Sequence, residues 1–173
     1  MALILILGDS HIPRRASWFP KEFEDLFAKR FDFVVCTGDL TDKTVLEYLR
    51  RLGKTIAVRG NMDHLPLPEY EELRIGELKL GVIHGDQVYP RGNREQLMEI
   101  ALEKGVDLLI SGHTHSPDFF KRSVVLLNPG SVTGVWGGGG GSLNPSFMLL
   151  DTDKMIVELY ELKKGLHKRV FEI

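Results

Sequence analysis

The chain of 173 residues contains a single cysteine, Cys36, and this scarcity excludes an internal disulfide. A protein without disulfides suits a reducing compartment, so we expect a cytoplasmic location. An excess of positive charge is also lacking, because 22 basic residues face 24 acidic ones and leave a formal net charge of −2. This balance gives no support to nucleic acid as a partner.

Long apolar runs are missing as well. The start, MALILILGD, has no basic segment before its apolar stretch and no small-residue cleavage site after it, unlike a secretory signal. The stretch is far shorter than the ~20 residues of a membrane-spanning helix, so membrane insertion is not expected. Residues 2–7 are predicted to form a buried strand. The length fits one domain, residues 1–173.

Apolar runs and helical patterns alternate in the first third of the chain. ALILIL, FVVCT and TIAV are predicted to be buried strands. Pro20 is predicted to be the first residue of one helix, and a second helix is capped by Thr41 or Asp42 and ended by Gly53. The order βαβαβ predicts parallel strands with right-handed crossovers.

The remainder of the chain is richer in strands. ELRIGELKLGVIHG alternates around Gly76 as a hairpin does, and DLLISG is a further buried strand. Between them a third helix spans residues 93–104, with Asn93 and Gln96 as a capping box. VVLLN, SFMLLD, MIVELYEL and HKRVFEI predict a mostly antiparallel sheet beside the parallel first half. We therefore expect two packed sheets with helices on their outer faces.

The segment WGGGGGS, residues 136–142, is the one stretch of low complexity. Phosphate-binding glycine loops continue into a helix with a lysine, whereas this run leads into a turn and a strand. A mobile surface loop is predicted. Trp136 is either an exposed aromatic for a partner or a buried anchor of the loop.

Residue types that bind metals are concentrated where the strands are predicted to end. The segments are LGDSH, CTGDL, VRGNMDH, VIHGD and ISGHTH. In an open α/β sheet, ligand sites form at the carboxyl ends of the strands. Although each residue alone would be an ordinary turn or surface residue, together they are expected to converge as seven candidate ligands: Asp9, His11, Asp39, Asn61, His84, His113 and His115.

A glycine precedes the polar residue in four of these segments, at Gly8, Gly38, Gly60 and Gly112. We expect these glycines to let the chain turn sharply off each strand.

The mixture of donors indicates the chemistry. Imidazole, carboxylate and amide oxygen suit divalent ions such as Mn²⁺, Fe²⁺, Ni²⁺ or Zn²⁺. Seven ligands are too many for one tetrahedral zinc, but they suit two ions that share a bridging carboxylate. Two ions about 3.5–4 Å apart form the clamp used in phosphoryl hydrolysis. A single-zinc hydrolase is disfavoured, because no H-E-x-x-H helix occurs.

The motifs LGDSH, TGDL, RGNMD, IHGD, SGHTH and LNPGS resemble those of the calcineurin-like metallophosphoesterases, in particular the small phosphodiesterase-like members. The resemblance covers about residues 3–150. It implies an α/β fold, a four-layer αββα sandwich of two mixed β-sheets flanked by helices. It also implies hydrolysis of a small phosphodiester or related phosphate ester.

The resemblance further implies how the candidate ligands divide between two ions. The first ion takes Asp9, His11 and His115, the second takes Asn61, His84 and His113, and Asp39 bridges both. Asp39, Asn61 and His84 then act in catalysis through a metal-bound hydroxide, which is the nucleophile. Manganese is the expected ion, with nickel, zinc and iron as alternatives.

A second resemblance points to a different function. LGDSHIPRRA, ISGHTH and NPGSVTGV are similar to the sorting subunit of the retromer complex, which uses this fold as a protein-binding scaffold. That branch has substitutions at the Gly-Asp and Gly-Asn positions, whereas this chain has Asp39 and Asn61 there. An enzyme is favoured. A scaffold with a vestigial or structural metal site is the alternative, and a protein partner or a homo-oligomer stays open.

Met62 departs from the pattern of the larger family members, which have a histidine at this position that protonates the leaving group. A thioether donates no proton, so we hypothesise a hydrolase that is limited by its leaving group. His64, two residues on, is predicted to be a surface residue rather than a replacement acid.

Other polar residues near the motifs have two interpretations each. Asp63 either orients a metal ligand by a hydrogen bond or caps the turn, and Asn128 has the same two interpretations. Arg14 or Arg15 would bind substrate phosphate, with solvated surface charge as the alternative. His167 is predicted to be structural.

Overall fold

The computed structural model describes residues 1–173, with three helices and eleven strands. In chain order these are β1 Leu3–Leu7, α1 Lys21–Phe27, β2 Phe33–Cys36, α2 Lys43–Leu52, β3 Lys54–Ala57, β4 Tyr70–Ile75, β5 Leu78–Ile83, α3 Arg94–Lys104, β6 Leu108–Ile110, β7 Pro117–Lys121, β8 Val125–Pro129, β9 Ser146–Asp151, β10 Ile156–Leu162 and β11 Leu166–Glu172. No helix is both long and apolar enough to cross a membrane.

Both sheets are mixed. The first has the order β11-β10-β9-β1-β2-β3, in which β1, β2 and β3 are parallel and β9 pairs antiparallel with β1. The second has the order β4-β5-β6-β8-β7, with β5, β6 and β8 parallel. The expected separation into a parallel first half and an antiparallel second half is therefore wrong. The last three strands extend the first sheet, because β1 must pair on both edges to lie buried in its middle.

Side chains along β1 show why the sheets form the middle layers of the molecule. Leu5 and Leu7 belong to a core cluster that includes residues of α1 and α2. Ile4 and Ile6 point the opposite way and pack between the two sheets. On the far face of the second sheet, Leu97 and other α3 residues complete a third cluster. The αββα sandwich is confirmed.

Single polar side chains cap the N-termini of α2 and α3. The Asp42 side chain accepts a hydrogen bond from the Thr44 N–H and caps α2, as one of the two expected caps. Asn93 caps α3, but Gln96 bonds to the Tyr89 backbone instead of returning to Asn93, so only half of the capping box forms. Pro20 precedes α1 rather than starting it, since its ψ of 138° is not helical.

Candidate metal centre

The seven candidate ligands lie in loops at the carboxyl ends of five strands. Strands β1, β2 and β3 of the first sheet lead to Asp9 and His11, to Asp39 and to Asn61. Strands β5 and β6 of the second sheet lead to His84 and to His113 and His115. The site therefore lies where the carboxyl ends of the parallel strands of both sheets meet.

Asp9, His11, Asp39 and His115 form the most compact group, and all four are buried. One ligand atom from each lies within 4.8 Å of the others. His11 Nε2 is 3.2 Å from His115 Nε2 and 3.4 Å from Asp39 Oδ2, and His115 Nε2 is 3.6 Å from Asp9 Oδ1. Ligands ~2.1 Å from one ion lie roughly 3.0–3.4 Å apart, so these spacings fit a single divalent ion.

A second group adjoins the first through Asp39. Its Oδ2 lies 3.5 Å from His84 Nε2, which in turn is 3.0 Å from Asn61 Oδ1. The same carboxylate oxygen thus faces both groups. His113 lies beside this second group, with its ring centroid 5.1 Å from that of His84. It stands outside the compact group.

The buried oxygen Asp9 Oδ1 has no hydrogen-bond partner. Burial raises the pKa of Asp9 to about 7, because a buried carboxylate is costly without a proton or a cation beside it. A divalent ion in the compact group would supply that cation. The residues present therefore fit a metal centre.

The candidate imidazoles are suited to be ligands. Burial lowers the pKa of His11 to about 3 and that of His113 to about 4, and it also lowers the pKa of His115. Their lone pairs are consequently free for a metal near neutral pH. For His84, burial acts to lower the pKa, but the carboxylates of Asp9 and Asp39 outweigh it and raise the pKa.

Hydrogen bonds fix two of the rings with Nε2 toward the centre. His84 Nδ1 donates to the Thr37 carbonyl at 2.7 Å, and His115 Nδ1 donates to the Val135 carbonyl at the same distance. Such outer bonds set the tautomer and the direction of a ligating imidazole.

Asp63 holds the loop that carries Asp39. Its Oδ2 accepts the N–H groups of Asp39 and Gly60, and its Oδ1 accepts that of Thr41, each at 2.8 Å. The Met62 N–H donates to Asp39 Oδ1 at 2.8 Å and leaves Oδ2 for the two candidate metal groups. Asp63 thus orients a candidate ligand and links two turns at once.

Asn128 does the same for the loop of residues 112–115. Its Nδ2 donates to the Gly112 carbonyl and to Thr114 Oγ1, both at 3.0 Å, and its Oδ1 accepts the Gly130 N–H.

Left-handed backbone angles occur at the candidate ligands rather than at most of the glycines before them. The φ values are 50° at Asp9, 46° at His11, 53° at Asp39, 68° at His113 and 55° at His115. Such angles cost about 1–3 kcal/mol each in residues other than glycine, and they cluster at functional sites.

The glycines that precede the ligands mainly provide space. Only Gly38 has a positive φ, 99°. A Cβ at Gly8 or Gly112 would collide with Thr37 Oγ1, and one at Gly60 with the Asp39 side chain. The expectation of sharp turns thus holds at one of the four positions, and close packing explains the other three.

Three residues named from the sequence lie outside the cluster. Arg14 is exposed and makes no hydrogen bond or ion pair, and His167 bonds to the Lys163 carbonyl in the last hairpin. His64 is exposed in a cleft of about 560 Å³ that also contains Asn61 and Asp86.

The glycine-rich segment contacts the candidate site. Arg15 Nη1 donates to the Trp136 carbonyl at 2.7 Å, and Arg91 Nη1 donates to the Gly137 carbonyl at 2.8 Å. A Cβ at Gly137 would lie 2.6 Å from the His115 ring. Instead of the free surface loop expected, the start of the segment is hydrogen-bonded against the site. Trp136 is 62% exposed, so it is not a buried anchor.

The sequence model of one protein family, the calcineurin-like phosphoesterase superfamily domain, matches residues 2–155 of the chain. The chain belongs to this superfamily. A probable metallophosphoesterase from Methanocaldococcus jannaschii is 50% identical over 132 residues, which cover 76% of this chain and 68% of that protein. The family predicted from the motifs is confirmed.

Solved structures give two further likenesses. Vps29 from Entamoeba histolytica, crystallised with zinc, is 36% identical with a TM-score of 0.87, and 98% of each chain is covered. A phosphoesterase from E. coli is 22% identical with a TM-score of 0.63 over 96% of this chain and 98% of that one, a likeness of fold alone. The likeness to Vps29 matches the second resemblance that the sequence motifs indicated.

Proposed function

We propose that this metallophosphoesterase is a dinuclear, metal-dependent phosphodiesterase. The observation that carries the proposal is the position of Asp39 Oδ2, which is 3.4 Å from His11 Nε2 and 3.5 Å from His84 Nε2. One carboxylate oxygen is therefore available to two groups of ligands, as a bridging ligand must be.

The ligand sets follow from the two groups. Asp9, His11 and His115 would hold one ion and Asn61, His84 and His113 the other, with Asp39 shared. When bound, two divalent ions generate a nucleophile from water at neutral pH and offset the charge that develops on the phosphoryl group. Manganese is the proposed ion, and nickel, zinc and iron suit the same donors.

The charges of the chain favour an anionic substrate only when metal is present. Asp9 and Asp39 contribute two negative charges to the centre, and two divalent ions would more than balance them. The loaded centre is positive and attracts a phosphate ester, while the hydrogen-bonded ligand loops keep it preorganised.

Esters with a good leaving group are favoured as substrates because of the residue that follows Asn61. Met62, the next residue, has no ionisable group, so it supplies no proton to a poor leaving group. Esters with an acidic leaving group, such as aryl phosphodiesters, should react fastest.

The test compares metal content and turnover in the same preparations. Chelator-treated protein is reloaded with Mn²⁺, Ni²⁺, Zn²⁺ or Fe²⁺ and assayed on bis(p-nitrophenyl) phosphate and on p-nitrophenyl phosphate. We expect two ions per chain and metal-dependent cleavage of the diester. Asp39→Asn should reduce kcat/KM at least ~100-fold, and His167→Asn, which alters a histidine far from the site, should not.

A second candidate function is a protein-binding scaffold, favoured by the likeness to Vps29 over nearly the whole chain. In that case the site would bind metal without turnover. Full metal loading with no cleavage of any mono- or diester would support the scaffold and refute the phosphodiesterase.

A further inference from the structure

Three consecutive backbone carbonyls, those of Val135, Trp136 and Gly137, accept hydrogen bonds from side chains. The Val135 carbonyl accepts from His115 Nδ1, the Trp136 carbonyl from Arg15 and the Gly137 carbonyl from Arg91. Two guanidinium groups from distant parts of the chain therefore bind neighbouring peptide units.

Neither guanidinium group is neutralised. Arg15 and Arg91 are exposed and form no ion pair, whereas Arg59, Arg94 and Arg169 are each paired with a carboxylate. Each of the two uses only Nη1 in its hydrogen bond to the loop. An arginine has five N–H donors, so most of the donors on both remain available for an anion.

The pair lies beside the candidate metal centre but not in it. His115 Nε2 faces the compact group, while its Nδ1 points to Val135, the residue that leads into the arginine contacts. The pair is thus on the outer side of the His115 ring. Burial lowers the pKa of His115, and the positive charges of Arg15 and Arg91 lower it further. Both charges therefore act on this ring.

We propose that Arg15 and Arg91 bind a second phosphoryl group of the substrate, carried beside the phosphodiester that is cleaved. This inference rests on the proposed function, because it treats the bound anion as part of the substrate of that enzyme. A simple diester has one negative charge, which the loaded metal centre already balances. Two further fixed cations match a dianionic terminal phosphate, and their planar forks suit its oxygens.

The first test uses metal-free protein. Without metal, the carboxylates of the candidate centre do not attract an anion, so phosphate binding there does not compete with binding at the arginines. Inorganic phosphate is titrated at about pH 7.5 and about 0.15 M salt, which screens nonspecific attraction. The Nε–Hε NMR signals of Arg15 and Arg91 should shift together and saturate. Arg15→Gln and Arg91→Gln should each weaken binding about tenfold or more.

Matched variants separate charge from structure. Arg74→Gln removes an exposed arginine of β4 that has no ion pair, and it should bind phosphate as the wild type does. Arg15→Lys and Arg91→Lys keep the charge but lose the fork, so they should bind with intermediate affinity. The proposal is overturned if phosphate produces no saturable shift, or if the glutamine variants bind like wild type.

A second readout ties the pair to substrate choice. Two substrates are compared in metal-loaded protein: a p-nitrophenyl phosphodiester that bears a terminal phosphate, and bis(p-nitrophenyl) phosphate. The wild type should have the higher kcat/KM for the first substrate, so that the ratio of the two values exceeds one. This ratio should fall in both glutamine variants. A wild-type ratio of one or less contradicts the inference. Because the titration involves neither metal nor turnover, a failure of phosphate binding is distinguishable from a failure of the phosphodiesterase proposal.

Discussion

Asp39 shows how one residue can be prepared for two roles. Its Oδ1 is occupied by the Met62 N–H, its backbone N–H is held by Asp63, and its Oδ2 is left facing His11 and His84. A carboxylate held at both its side chain and its backbone loses little entropy on binding a metal. Neighbours that are not ligands therefore contribute to metal affinity.

Asp63→Asn tests this contribution directly. An asparagine has one acceptor oxygen where Asp63 uses two, so at least one N–H from Gly60, Asp39 or Thr41 loses its partner. We expect about 10–100-fold weaker metal binding in competition with a chelating dye. Asp107→Asn is the matched control, since Asp107 also accepts a backbone N–H, from Lys79. Equal affinity in wild type and Asp63→Asn contradicts the prediction.

Metal affinity should also depend on pH. Burial raises the pKa of Asp9 to about 7, and the charges of Asp9 and Asp39 raise that of His84. Below these pKa values a metal must displace protons, so binding should tighten from about pH 6 to about pH 8, by roughly tenfold per proton displaced per pH unit. Calorimetry in two buffers of different ionisation enthalpy measures the protons released. Equal affinity at both pH values, with no proton release, contradicts this.

The leaving-group hypothesis for Met62 is tested by Met62→His. Imidazole can protonate an alkoxide as it departs, which a thioether cannot do. We expect the variant to raise kcat for an alkyl phosphodiester by about tenfold or more and to change kcat for an aryl diester little. If the wild type cleaves alkyl and aryl esters equally well, a missing acid does not limit this enzyme.

At this scale, the residues predictable from sequence are those with a local signal. Asp63 lies two residues from Asn61 within a motif, so its role could be framed in advance as one of two alternatives. Arg91 could not be found, because it follows no motif and its partner Gly137 is 46 residues away. A contact between two irregular segments leaves no periodic signal in either.

Among the elements, helices and most strands were predictable because each has its own pattern. The apolar residues of α2 that recur at helical spacing, Val45, Leu46, Leu49 and Leu52, are all buried, and Gly76 does turn a hairpin between β4 and β5. The assignment of strands to sheets was not predictable. SFMLLD would suit either sheet, and only its pairing with β1 in three dimensions decides the choice.

Strand β7 was missed for a physical reason. Its sequence, PDFFK, begins with a proline and an aspartate and has no fully buried residue. It pairs only with β8, at the edge of the second sheet, where Phe119 stacks on Phe171 of the first sheet. An edge strand of this kind depends on tertiary contacts more than on its own pattern.

Close packing of the ligand loops predicts the effect of Gly8→Ala. The new Cβ would collide with Thr37 Oγ1, which is buried without a hydrogen-bond partner. We expect a loss of about 1–3 kcal/mol in the free energy of unfolding, measured in urea. Thr37→Ala removes the obstructing atom, so the double variant should recover part of this loss. Strictly additive effects of the two substitutions would exclude the collision as the cause.

Considered as a whole, the molecule brings its two sheets together at the metal centre. The compact group takes Asp9, His11 and Asp39 from loops of the first sheet and His115 from a loop of the second. His84, also from the second sheet, adjoins them through Asp39. Bound metal would therefore link the two layers of the sandwich in addition to its role in chemistry.

Metal binding should consequently stabilise the entire domain. At a free metal concentration of about 100 times Kd, the free energy of unfolding should rise by about 2.7 kcal/mol, which corresponds to roughly 5–11 °C in Tm for a chain of this size. Differential scanning calorimetry of chelator-treated and reloaded protein measures the shift. His11→Ala and His84→Ala remove one candidate ligand from each sheet, so each should abolish most of it, and Asp107→Asn should not. If His84→Ala kept the full shift while His11→Ala lost it, the compact group would bind the metal without His84. The linkage through His84, together with a second ion there, would then be refuted.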